Sequence, residues 1–196
     1  MGQPLDDAGL DTIFRTARSY NGYTDAPITE DDIRRIDALA KLAPTSVNQQ
    51  SARFVWVTSP EAKEKLAALA TGSNPDKIRK APVTVIIGMD LGFHEHLEWL
   101  FPHAPGARDW FPEDSRRDHA LRNSSLQGAF LIVAARALGF DTGPMSGFDN
   151  AGVDEAFFSD QPGVKSNFIC TIGHGDPSSI HDRLPRPEFE KFNRLV

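Results

Sequence analysis

The chain has 196 residues, 40% of them hydrophobic and 24% charged, with a formal net charge of -6 at pH 7. That length and mix suit one soluble domain over residues 1–196, and an acidic balance without clustered Lys and Arg speaks against nucleic acid or an anionic membrane surface as partner. The single cysteine, Cys170, excludes an internal disulfide. With no basic-then-apolar leader at Met1-Gly2-Gln3-Pro4 and no apolar run of membrane length, the expected compartment is the cytoplasm.

In chain order, Leu10, Ile13, Phe14 and Ala17 recur at helical spacing and predict a helix that ends near Tyr20-Asn21-Gly22. Thr29 before Glu30-Asp31-Asp32 is a capping signal, and Ile33, Ile36, Leu39 and Ala40 supply the buried stripe of a second helix that Pro44 terminates. The following run, Ala43-Pro44-Thr45-Ser46-Val47-Asn48-Gln49-Gln50, concentrates short hydroxyl and amide side chains. Such groups can read the edge of a planar, acceptor-rich ring; they also fit a turn-rich connection. Arg53 to Thr58 predicts a strand, Ser59-Pro60-Glu61 caps a helix that Gly72 closes, and Val83 to Ile87 predicts a second strand. Between them, Asn74-Pro75 reads as a turn and Lys77 as an exposed charge.

Leu91 to Phe101 predicts a helix in which His94 and His96, two residues apart, point to different sides and make no metal-binding face. The stretch 102–114, rich in Pro, Gly and aromatics, is a loop that serves either as a lid or as an irregular wrap. His119 to Leu138 is the longest helical pattern, apolar nearly all round after Gln127, and such a helix must be buried on several faces. Either Arg122 or His119 offers a partner for a carboxylate. After the C-cap glycine Gly139, the run from Thr142 to Asp149 reads as a loop whose successive N–H groups face outward past small side chains. It is a cradle for a planar ligand, or an ordinary connection. A helix should start at Asp149, and Lys165 to Gly173 predicts a core strand in which Cys170 packs rather than reacts. No nucleophile elbow and no complete dinucleotide glycine fingerprint occur, and the tail from Ile180 carries Arg183 and Arg186.

Thr142-Gly143-Pro144-Met145-Ser146-Gly147-Phe148-Asp149 resembles the flavin loop of the nitroreductase superfamily of FMN-dependent oxidoreductases. Its wording is most similar to the NADH dehydrogenase/NAD(P)H nitroreductase subgroup that includes the malonic semialdehyde reductase of pyrimidine breakdown. The resemblance implies an α+β nitroreductase-like fold, with a central, mainly antiparallel sheet flanked by helices. It also implies an intertwined homodimer whose C-terminal tails cross to the partner, with FMN in each of two interface sites and NADH or NADPH as co-substrate. On this reading the main chain of Pro144, Met145, Ser146 and Gly147 faces the flavin, and Ser146 stands where members often carry Glu.

Arg18, Ser19 and Asn21 resemble the N-terminal motif that holds the ribityl phosphate, although the family's first basic residue falls on Ala17 and its second on Asn21. Taken alone, Arg18 fits a solvated helix-end arginine equally well. Pro44, Thr45, Ser46 and Asn48, followed by Gln50, resemble the segment that contacts the partner's flavin; Ser51-Ala52 replaces the usual Pro-Trp. By the same resemblance Asn74 meets the flavin, Lys77 lies near the nicotinamide nucleotide, and Arg183, or else Arg186, grips the phosphate. The long helix would pack against its copy, and Ala129-Phe130 replaces the family's Gln-Asn pair there. Chemistry would belong to the flavin, with no catalytic side chain and no metal. The implied acceptor is malonic semialdehyde, reduced to 3-hydroxypropanoate. Alternatives are a nitroaromatic or quinone acceptor, or a flavin-binding or flavin-consuming protein of the same fold without NAD(P)H turnover.

Overall fold

Short runs of β-branched and aromatic residues build the sheet. In the computed structural model, which describes residues 2–196, its strands are β1 (Ala52–Val57), β2 (Val83–Asp90), β3 (Asp141–Met145) and β4 (Val164–Gly173). They form one antiparallel sheet in the order β1-β2-β4-β3, with β2 and β4 central and β1 and β3 at opposite edges. β2 is buried along its whole length, as a central strand covered on both faces must be.

Helices cover both faces. On one side α2 (Glu30–Ala40) and the long α6 (Glu113–Ala137) close a core of Ile36, Ala40, Leu131 and Ala135 over Val85, Ile87, Cys170 and Ile172. On the other side α3 (Pro60–Ala67), α4 (Asn74–Lys80) and α7 (Asn150–Phe157) bring Leu66, Ile78 and Val153 against Ile86, Met145 and Ile169. The Thr29 cap is a complete capping box: its hydroxyl accepts from the Asp32 N–H at 3.1 Å while the Asp32 carboxylate takes the Thr29 N–H at 3.0 Å. That hydrogen bonding from Thr29 holds the Asp32 carboxyl below its ordinary pKa.

Several elements differ from the sequence expectation. The first helix is only α1 (Asp7–Leu10) followed by a π turn over Asp11–Arg15, because the Asp11 carbonyl accepts both the N–H and the hydroxyl of Thr16, at 3.0 and 2.8 Å. Asn74-Pro75 is the opening of α4 rather than a turn, since proline costs nothing in a first helical turn. The helix expected over 91–101 is a 3-10 turn (Phe93–His96) followed by α5 (Leu97–Leu100), after Asp90 Oδ1 captures the Gly92 N–H at 2.7 Å and turns the chain. The loop over 102–114 contains a 3-10 turn at Ala107–Trp110, and α6 starts earlier than His119, where Glu113 and Asp114 suit the positive end of the helix. The expected flavin loop is partly a strand. Thr142 to Met145 belong to β3, and Pro144 is tolerated there because an edge strand needs no N–H on its outer side.

α6 is not buried on several faces within one chain. Leu131 and Ala135 are fully covered, whereas Leu121, Leu126 and Phe130 stay exposed. A last short helix, α8 (Phe189–Phe192), lies in the exposed tail. Among the described residues no helix is long and apolar enough to cross a membrane.

Candidate active site

Three groups of the predicted residues are built by different elements. The first lies where the N-terminal segment meets the tail. Ser19 bridges to Thr142 at the start of β3, and the Tyr20 N–H donates to the Thr142 carbonyl at 3.0 Å. Gly143 lets this segment close in, since a Cβ there would lie 2.5 Å from the Tyr20 carbonyl. Arg183 returns from the tail and donates through Nη2 to the carbonyls of Arg15 and Ala17 at 2.7 and 3.0 Å, while Arg18 donates to the His181 carbonyl. The result is a hollow of about 390 Å³ whose wall includes Arg18, Ser19, Arg136, His181, Arg183 and Arg186. Predicted and unpredicted cations thus meet in one place.

Asn21 and Lys77 lie in a neighbouring hollow of about 660 Å³, together with Lys80 and again His181. Asn21 is occupied there as a clasp, donating to the Ser179 carbonyl at 2.9 Å.

The second group sits at the far end of β3. The Gly147 carbonyl accepts the Thr71 N–H at 2.9 Å and the Asn74 side-chain amide at 3.0 Å, and the Asp149 N–H reaches the Leu69 carbonyl at 2.8 Å. Gly147 is required by this closeness: a Cβ would stand 2.8 Å from Asn74 Nδ2 and 2.9 Å from Thr71 Oγ1. The N–H groups of Ser146 and Gly147 find no acceptor among the described residues. Ser146 and Pro144 are exposed and Met145 is buried, so the corner offers main chain rather than side chain to a ligand.

The third group precedes β1. Val47, Asn48 and Gln50 adopt left-handed backbone, with φ of 47°, 51° and 42°, a conformation that costs non-glycine residues on the order of 1 kcal/mol or more each. Buried amides of α6 hold it. Asn123 Oδ1 accepts the Ser46 N–H and Gln127 Oε1 the Ala52 N–H, each at 2.8 Å, and Gln127 Nε2 donates to Gln50 Oε1 at 2.7 Å. The Gln50 N–H turns to Thr45 Oγ1 at 3.3 Å, and Asn48 Nδ2 donates to the Leu100 carbonyl at 2.9 Å. Pro44 and Ser46 are exposed beside them.

The sheet fixes how far apart these groups lie. In register, Met145 of β3 is level with Val55 of β1, three residues beyond Ala52, and three strand spacings separate the two edges. At roughly 3.3 Å per residue and 4.8 Å per strand, Ala52 lies roughly 17 Å from Met145 and roughly 24 Å from Thr142. Within one chain, therefore, the first two groups share a sheet edge and the third stands at the opposite one.

Other candidates are accounted for by packing. His119 is half-buried and lies against Phe111, with ring centroids 4.9 Å apart, while Arg122 is solvent-exposed. Cys170 is fully buried, and burial pushes its thiol up to about 12, which leaves no thiolate for nucleophilic chemistry. Burial likewise raises Tyr23, whose hydroxyl pairs with Thr171 Oγ1 at 2.7 Å. Among the described residues no three His, Cys, Asp or Glu side chains are placed to share a metal ion.

Sequence reasoning passed over Asn123, Gln127, Arg136 and His181. Asn123 and Gln127 carried a signal, since two amides four residues apart form a polar stripe on a helix that is otherwise turning apolar. Arg136 reads as any helix-end arginine.

An antiparallel sheet between helical layers, with an arginine-lined hollow and an open main-chain corner at the two ends of one edge strand, defines an α+β protein. Residues 14–174 match the model of the nitroreductase family, and the chain belongs to that family. A protein of Caulobacter sp. (strain K31), provisionally named NADH dehydrogenase/NAD(P)H nitroreductase, is 54% identical over 193 residues, covering 98% of each chain. One of the same provisional name from Stenotrophomonas maltophilia (strain K279a) is 52% identical over 198 residues, covering 100% of each. Among solved structures, a provisionally named nitroreductase from Exiguobacterium sibiricum, crystallised in complex with FMN, superposes with a TM-score of 0.86 at 23% identity, over 100% of both chains. A provisionally named NAD(P)H:FMN oxidoreductase from Staphylococcus epidermidis gives 0.84 at 22% identity, over 100% of this chain and 98% of its own. These two likenesses confirm the nitroreductase-like α+β fold.

Proposed function

We propose that the protein is a cytoplasmic, homodimeric FMN-dependent NAD(P)H oxidoreductase in which each flavin is held between two chains. The observation that carries this reading is the separation just described. The residues resembling the flavin motifs divide between opposite sheet edges, too far apart to grip one flavin unless a second chain brings its own Thr45–Gln50 segment to the corner at Gly147. The exposed face of α6, the open outer edge of β1 and the exposed apolar tail residues Leu184, Phe189, Phe192 and Leu195 all favour such pairing.

The residues present suit FMN. Arg18, Ser19, Arg183 and Arg186 offer guanidinium and hydroxyl donors for a phosphate, and guanidinium forks match phosphate oxygens in pairs. The unpaired N–H groups of Ser146 and Gly147, with Asn74 beside them, would face the ring, and Thr45, Ser46 and Asn48 of the second chain its polar edge. When bound, FMN supplies the hydride chemistry, passing two electrons from NADH or NADPH to an acceptor. The chain's own part is positional. Gly147 and Gly143 let the main chain approach, the buried amides of α6 fix the loop before β1, and Lys77 with Lys80 and His181 gives a polar hollow suited to the nicotinamide nucleotide.

We read the acceptor as a small aldehyde acid of the malonic semialdehyde type. For that substrate the balance is aldehyde plus NAD(P)H plus one proton giving 3-hydroxypropanoate and NAD(P)+. The resemblance of the Thr142–Asp149 run suggests this choice, and Lys77 and Lys80 line a polar hollow that offers cations for its carboxylate. The test is direct: the purified chain is expected to be yellow and to bleach when NADH or NADPH is added without oxygen. Its colour should return when malonic semialdehyde is supplied, faster than with a nitroaromatic or a quinone. A yellow protein that neither nucleotide bleaches would mean a flavin carrier, and a chain that stays colourless with added FMN would refute the reading altogether.

A further inference from the structure

The hollow between the two ends of the chain holds more positive charge than its own structure uses. Arg18, Arg136, Arg183, Arg186 and His181 line it against a single carboxylate, that of Asp182. Among the described residues none of these four arginines lies within ion-pair distance of a carboxylate. Three are engaged with main-chain carbonyls: Arg18 with His181, Arg183 with Arg15 and Ala17, and Arg186 with Leu184 and Pro185 at 3.0 and 3.2 Å.

Arg136 is different. It projects from the last turn of α6, where the negative end of the helix favours a cation. Its Nε is buried with no acceptor, and its one hydrogen bond is a long one, 3.3 Å, from Nη1 to the Ile13 carbonyl. Ala17, a short side chain, lines the same hollow. A half-buried cation without a partner is costly, and the cost disappears only when an anion arrives. Asp182 lines the hollow and Asp141 lies near enough to act on Arg136 through space, but among the described residues neither is within ion-pair distance of it.

We propose that Arg136 is a phosphate ligand of FMN, placed beneath Arg18 and Arg183 and reaching the dianion from the protein side of the hollow. This rests on the FMN reading above. The full chain, stripped of flavin, is titrated with FMN and with riboflavin, which shares the ring and ribityl chain but lacks the phosphate, in the wild type and in Arg136→Met and Arg136→Lys. Loss of charge-assisted hydrogen bonds should weaken FMN binding of Arg136→Met about 10- to 100-fold and leave riboflavin unchanged, with Arg136→Lys recovering part of the loss. The flavin-free Arg136→Met chain should melt no lower than wild type, because an unpaired buried charge has been removed. Equal weakening of both flavins, an unchanged FMN affinity, or a lower melting point of the flavin-free variant would show a structural role and overturn the proposal. A wild-type chain that binds FMN no better than riboflavin would overturn it while leaving the flavin reading in place; a wild-type chain that binds neither would refute the flavin reading itself.

Discussion

On the proposed reading, the corner at Ser146-Gly147 and the loop from Thr45 to Gln50 are the two segments offered to a flavin, and they are held in opposite ways. The corner is fixed mainly by main chain: Gly147 and Asp149 are tied to the loop between α3 and α4 through backbone bonds, and its demands on sequence are the missing Cβ of Gly147 and the Asn74 amide that donates to the Gly147 carbonyl. The loop is fixed by side chains, because three left-handed residues are kept in place by Asn123 and Gln127 of α6. A segment held mainly by backbone tolerates most substitutions and fails at few positions. A segment held by side chains carries strain and depends on residues far away in sequence.

The largest effect should come at the corner. Gly147→Val would drive a branched side chain into Asn74 and Thr71, costing about 3 kcal/mol and abolishing FMN retention, as melting and flavin content will register. Ser146→Ala, one residue away and exposed, should change neither, and a loss there would break the backbone account of the corner.

Next comes the loop. Asn123→Leu removes the acceptor of the Ser46 N–H within a buried seam and should cost about 1–2 kcal/mol. Hydrogen exchange should rise over residues 45–50 and stay unchanged over 146–149. Equal loosening of both segments would deny that they are held separately.

The smallest effect is acid sensitivity on the loop's side. His94 is buried beside Phe93, whose core cluster also receives Val47. Burial first, then the nearby Arg116, holds its imidazole below the ordinary value; Arg108 acts the same way, and Glu95 and Asp90 oppose it. The unfolded chain therefore takes up the proton first. The stability of this region is complete above pH about 6.5 and is lost as the pH falls from there towards the folded pKa. Melting from pH 7.5 to 5 should show the loss, and His94→Gln should flatten it; a melting curve steeper in the variant would reverse the assignment.

What the sequence made legible follows the same division. β1, β2 and β4 announce themselves by β-branched and aromatic runs, and the Thr29 capping box by its acids. β3 did not, because glycine and proline in Thr142-Gly143-Pro144-Met145 argue for a turn, and only the sheet's edge position makes a proline strand acceptable. The arginine-lined hollow was half visible: Arg18, Ser19, Arg183 and Arg186 stood out by resemblance, whereas Arg136 is 46 residues upstream of the tail's Asp182 and joins them only through tertiary packing. Nor could the strain at Val47 and Gln50 be read from residue types; Asn48 is the exception, since asparagine is enriched in left-handed backbone.

The central claim, one site built by two chains, is tested most directly by mixing two defective variants. Gly147→Val spoils the corner, and Ser46→Trp blocks the exposed loop without touching the corner. Coexpressed in equal amounts, they should form mixed dimers in which one site carries both faults and the other none. FMN bound per chain should then return to about a quarter of wild type, against almost none in either variant alone. Mixed dimers that form and bind no FMN would contradict a shared site.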